Sequence, residues 1–66
     1  MKIKLNGEEK VISDGLTLAA LLNELGLTAG RMACEVNREI VRRADYGATV
    51  LRESDELEIV QMIGGG

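Results

Sequence analysis

A single short leucine stripe decides what this chain can fold into. Leu18, Leu21, Leu22 and Leu25 fall at i, i+3, i+4 and i+7 and so line one face of a helix. Thr17 is placed to cap its start, its hydroxyl accepting a backbone N–H of the first turn, and Asp14 lies near enough to favour the positive end of the helix dipole. Gly26 suits the left-handed conformation that closes a helix, which would fold Leu27 back on Leu22. A helix of roughly eight or nine residues is shorter than the ~12 to 15 that are marginally stable alone in water. It therefore has to form against a sheet, and helix and sheet depend on each other.

The remaining sequence supplies that sheet. From Lys2 to Leu5 apolar and polar residues alternate, Ile3 and Leu5 on one side, Lys2 and Lys4 on the other. Asn6-Gly7 accepts the positive φ angles of a two-residue hairpin turn, so Glu9 to Ser13 is expected to return antiparallel to the first strand. Beyond the Ala29-Gly30 break, Met32 to Val36 reads as a strand, and Ile40-Val41 as a short one reached through the polar turn Asn37-Arg38-Glu39. Arg42 to Ser54, with Tyr46-Gly47 and Val50-Leu51 inside it, reads as an irregular connection. Leu57 to Ile63 is the most β-like run, and its apolar character puts it in the middle of the sheet beside the first strand. The fold class is α+β, with one domain over residues 1–66 and a glycine tail at 64–66.

Size and residue types narrow the function. Sixty-six residues form one core, and a chain this short buries only about 60% of its unfolded surface, too little to enclose a substrate as well. The composition, 45% hydrophobic and 29% charged without proline, is that of a folded chain. There is no His and one thiol, Cys34, so neither a Cys/His zinc site nor a His-based hydrolytic triad can be built, and no internal disulfide. The start carries no signal-peptide pattern, which points to the cytoplasm. A net charge of −3 and a lone aromatic, Tyr46, argue against nucleic acid, and the apolar runs are too short to cross a bilayer.

The end of the chain carries the chemistry. A strong strand runs into Gly64, Gly65 and Gly66, a thin, conformationally permissive thread ending in a carboxylate. A glycine carboxylate has little steric shielding, so an active site elsewhere can take it in through a narrow channel and activate it, for example by adenylation with ATP. No phosphate-cradling loop of Gly, Lys and Ser or Thr is present, so a second protein has to supply that step. The competing reading is an inert, frayed end; the directness with which the glycines follow the strand argues against it. Ordering three glycines costs about 3 to 6 kcal/mol of backbone entropy, so a partner must also grip the folded body.

Several segments together resemble a known family. Gly15-Leu16-Thr17-Leu18 with Leu21-Leu22, Val36-Asn37 followed by Ile40-Val41 and Arg43, Asp55 to Val60, and the final Gly65-Gly66 are similar to the ThiS sulfur carriers of bacterial thiamin biosynthesis. The likeness covers nearly the whole chain. Arg42 stands where many members have proline and Ser54 where many have glycine, and Gly64 precedes the usual glycine pair. The resemblance implies a ubiquitin-like β-grasp fold, a mixed sheet packed on one helix. It also implies a recycled cosubstrate rather than an enzyme. A ThiF-type adenylyltransferase using ATP joins the Gly66 carboxylate to AMP, and sulfur from a cysteine desulfurase system replaces AMP. The Gly66 thiocarboxylate then serves a ThiG-type thiazole synthase. Gly64, Gly65 and Gly66 enter the partners' active sites, and the chain itself binds no cofactor.

Residues outside the tail offer chemistry of their own. In the last strand Leu57, Ile59, Gln61 and Ile63 share one face and Glu58, Val60 and Met62 the other. With the first face on the helix, Val60 and Met62 form an apolar patch beside the thread, and together with Ile63 they are the candidate partner contact. Cys34 is expected to pack as a small apolar side chain, with no His or adjacent Lys to activate it. Arg38, Arg42 and Arg43 are expected as an exposed basic turn, and Glu53, Asp55, Glu56 and Glu58 as a solvated acidic face that does not make a metal site. Two further functions use the same tail: a small subunit like that of molybdopterin synthase, and a ubiquitin-like modifier joined through Gly66 to lysine amines. A plain interaction module with an inert tail is the third.

Overall fold

The computed structural model describes residues 1–27 and 30–62. Strand β1 (Lys2–Leu5) turns back at once into β2 (Glu8–Val11). Asn6 and Gly7 take φ of 51° and 85° there, the two positive angles that a tight hairpin requires. A two-residue turn sets Glu8 opposite Leu5, so β2 begins one residue earlier than the sequence suggests and stops at Val11. Ile12, past the strand, is nevertheless buried, and its backbone exchanges both hydrogen bonds with Met1 at 2.8 Å.

Helix α1 (Leu18–Glu24) is as short as expected and is held at both ends. The Thr17 hydroxyl accepts the Ala20 N–H at 3.1 Å. At the other end Gly26, with φ 76°, lets its own N–H reach the Asn23 carbonyl and that of Leu27 reach the Leu22 carbonyl, the paired bonds of a Schellman cap. The first turn itself holds no acid, and the Asp14 carboxylate lies 3.3 Å from the Met1 amino group.

Two antiparallel strands follow, β3 (Arg31–Val36) and β4 (Glu39–Val41), joined by Asn37 and Arg38 at φ 52° and 69°. The stretch expected to be irregular contains a 3₁₀ segment, Arg43–Ala48, and then an extended piece that lies against the entry to α1. Thr17 and Val50 form a bridge, Leu18 N–H donates to the Thr49 carbonyl at 2.8 Å, and Leu51 N–H to that of Leu16 at 2.9 Å. The last strand, β5 (Glu56–Met62), is central, parallel to β1 and antiparallel to β3, in a sheet ordered β2-β1-β5-β3-β4.

This mixed sheet buries one face under α1. Ile3, Ile12, Leu57 and Ile59 meet Leu18, Leu21 and Leu22, with Cys34 and Leu51 completing the core. Leu25 caps the helix and is only partly buried.

Candidate functional site

The candidate site is the end of β5, so what holds that strand matters most. On its β3 side the ladder is continuous, from Val36 opposite Leu57 to Arg31 opposite Met62. On its β1 side pairing covers only Glu56 and Leu57, because β1 stops at Leu5 to make the hairpin turn. Backbone bonds from Lys4 N–H to the Asp55 carbonyl and from Asn6 N–H to the Leu57 carbonyl, both 2.8 Å, fix the side towards which odd-numbered residues point.

Where β1 ends, the Asn6 side chain takes over. Its Nδ2 donates to the Ile59 carbonyl at 3.2 Å and its Oδ1 accepts the Ile59 N–H at 2.9 Å. The amide thus satisfies both backbone groups that a neighbouring strand would have paired. By strand alternation the N–H and C=O of Gln61 face the same side, and no strand lies opposite them among the described residues. Asn37 does the same work at the start of β5: its Oδ1 accepts Glu56 N–H at 3.0 Å, its own N–H donates to the Glu56 carbonyl at 2.7 Å, and its Nδ2 bonds Asp55 at 2.9 Å.

The outer face of β5 carries Val60, which is 57% exposed, so no loop covers it. It lies opposite Ala33, two pairs beyond Glu35–Glu58, and Ile40, 76% exposed, sits opposite Glu35. Val60 and Ile40 are thus both exposed on the side of the sheet away from the helix, Val60 beside Ala33 and Ile40 in the row of Glu35 and Glu58. Met62 extends the strand opposite Arg31, while its side chain, together with Ile63, Gly64, Gly65 and Gly66, lies outside the described residues.

The other candidates have structural partners. Cys34 is buried in the core, as expected of a small apolar side chain. The Cys34 thiol beside it, and burial after that, hold the Tyr46 phenol above its ordinary pKa, with Arg43 pulling the other way. Arg43 is more than an exposed charge: its guanidinium donates to the Gly30 carbonyl at 2.7 Å and ties the connection to the start of β3. Within the acidic run, Glu53 accepts Lys2 N–H at 2.9 Å and Asp55 accepts Arg52 N–H at 2.8 Å, so these two carboxylates cap the turn before β5. Among the described residues no group of three acidic or thiol side chains is placed to hold a metal ion. An open groove of about 290 Å³ between α1 and β3 is bounded by Leu22, Leu27, Met32 and Tyr46, with no carboxylate or thiol in its wall among the described residues. No helix among the described residues is long and apolar enough to cross a membrane.

Sequence reasoning gave Asn6 a turn role only. Its bond to Ile59 spans 53 positions, and no local pattern signals it.

Comparison with known proteins agrees with this geometry. The model of the ThiS family matches residues 3–66. A thiazole synthase of Magnetococcus marinus is 48% identical over 66 residues, and one of Paramagnetospirillum magneticum is 46% identical over the same length. All of the chain is matched, but it spans about a fifth, 20%, of each of these relatives. The crystal structure of a thiamine biosynthesis protein (ThiS) from Geobacter metallireducens superposes with a TM-score of 0.85 at 26% identity, each chain covered in full. The mixed sheet on one helix is therefore the ubiquitin-like β-grasp fold.

Proposed function

This chain belongs to the ThiS family, and from that premise we propose that it carries sulfur for thiamin biosynthesis on the carboxylate of Gly66. The observation that carries this reading is the extent of the family match, which runs from residue 3 through Gly66 and so includes the glycine end. The fold supports it as well, since β5 leads into that end from the centre of the sheet.

The chemistry follows from the carboxylate. It resists nucleophilic attack until one oxygen becomes part of a good leaving group. A ThiF-type adenylyltransferase meets that need when a Gly66 oxygen attacks the α-phosphorus of ATP and pyrophosphate leaves. The terminal sulfur of a persulfide supplied by a cysteine desulfurase system then attacks the carbonyl carbon and AMP leaves, giving an acyl disulfide; a thiol cleaves its S–S bond, releasing the thiocarboxylate and taking the other sulfur into a new disulfide. Sulfur is more polarizable and more nucleophilic than oxygen at neutral pH, so the modified end reacts where a carboxylate does not. The two relatives named thiazole synthase, each containing a segment similar to this chain, support a ThiG-type thiazole synthase as the acceptor. The chain acts as a recycled cosubstrate in the cytoplasm and performs no catalysis itself.

Mass spectrometry of the protein after incubation with ATP, the adenylyltransferase and a sulfur donor tests this. The expected result is a gain equal to one oxygen-to-sulfur exchange. Covalent ladders on other proteins indicate a modifier instead, and no gain indicates an inert end. Deleting Gly66 is expected to abolish the gain and leave thermal unfolding unchanged; persistent loading places the sulfur on another residue.

A further inference from the structure

We propose that Asn6 is a positioning residue for the carrier tail: its side-chain amide replaces the missing length of β1 beside Ile59 and so sets the direction in which β5 leaves the sheet. This rests on the sulfur-carrier reading and adds to it the residue that prepares the tail for docking. Both hydrogen bonds go to one residue, Ile59, at 3.2 and 2.9 Å. The chemistry fixes the amide's orientation, because its oxygen faces an N–H and its nitrogen a C=O. Ile59 is the last position at which β5 is held on the β1 side among the described residues; from Val60 to Met62 the strand is held by β3 alone. Without the amide, that one-sided stretch lengthens by the two residues that follow Leu57. A partner receiving the tail then has to order more backbone on docking, which weakens binding.

A turn former alone does not need this amide. At φ 51° Asn6 sits where glycine fits equally well. Asn6→Gly therefore keeps the hairpin and removes only the amide. Asn37→Gly is the matched control, since Asn37 has φ 52° and bonds the opposite end of β5 through the same kind of amide.

The full-length protein and both variants are compared in two measurements. Amide hydrogen exchange at Ile59, read without any enzyme, is expected to quicken about tenfold in Asn6→Gly beyond its change in global stability, and not in Asn37→Gly. In pyrophosphate exchange catalysed by the adenylyltransferase, Asn6→Gly is expected to raise KM for the carrier about five- to tenfold with kcat within about twofold. Asn37→Gly is expected to keep the parental KM even if it unfolds at a similarly lowered temperature. Equal KM changes in the two variants, or no rise in Asn6→Gly, overturn the proposal. If the parental protein is not adenylated at all, the sulfur-carrier reading fails, and the exchange data alone decide whether Asn6 holds the end of β5.

Discussion

Ser54 has φ 70°, a left-handed angle that costs an L side chain roughly 1 to 2 kcal/mol. It cannot relax, because its N–H donates to the Lys2 carbonyl at 2.8 Å just ahead of β5. Arg42 has φ −75° and ψ 147°, angles natural to proline. At both departures from the family pattern, then, the backbone suits the family's residue. Ser54→Gly is expected to stabilise the domain by about 0.5 to 1 kcal/mol, the relief of strain outweighing the greater backbone freedom of glycine when unfolded. For a domain of this size that raises Tm by roughly 2 to 8 °C in a thermal unfolding experiment. An unchanged or lower Tm assigns the Ser54 side chain a contribution that the angle does not explain. At this scale the sequence was informative where a residue acts on its own neighbourhood: Thr17 caps three positions away, and Gly26 closes the helix it follows. It was silent on Asn6 with Ile59 and on Arg43 with Gly30, because such bonds exist only once distant segments have met.

Helix α1 has seven residues and three buried leucines, so its stability is borrowed from the sheet. Leu21 is completely buried, and Leu21→Ala is expected to cost about 2 to 5 kcal/mol. That is a large share of the roughly 3 to 10 kcal/mol available to a domain of this length. If helix and sheet form one cooperative unit, amide protection at Leu22 in α1 and at Leu57 in β5 falls by the same factor. Loss confined to the helix shows that α1 melts separately and contradicts that dependence. The elements with a clear hydrophobic period were legible in advance: the leucine stripe, the alternation of β1 and the two faces of β5. The 3₁₀ segment was not, because none of its residues is fully buried and no period marks it. Its contribution comes instead through Arg43 and through the extended piece that pins Leu16 and Leu18.

Across the whole molecule the two faces of the sheet differ in kind. One is closed by α1, and the other is open and graded along β5. Where β5 begins, Lys4 stands in register between Glu9 and Glu56, a row of opposite charges that favours solvation and correct pairing. Further along β5 the same face exposes Val60 beside Ala33, between the row of Ile40, Glu35 and Glu58 and the row of Arg31. On the proposed sulfur-carrier reading, Val60 is the exposed apolar residue placed for a partner to grip while the thread is ordered. Val60→Thr tests that role with little disturbance, because threonine keeps the β-branched shape that suits a strand. The expected outcome is a KM for adenylation about three- to tenfold higher, with stability changed by less than about 0.5 kcal/mol. Val11→Thr is the control: Val11 is 72% exposed, lies in register with Lys2 on the same face, and belongs to the far edge strand. Its KM is expected to stay within about twofold of the parent. Equal losses at Val11 and Val60 trace the effect to the sheet surface in general, and a loss at Val60 alone locates the grip beside the tail.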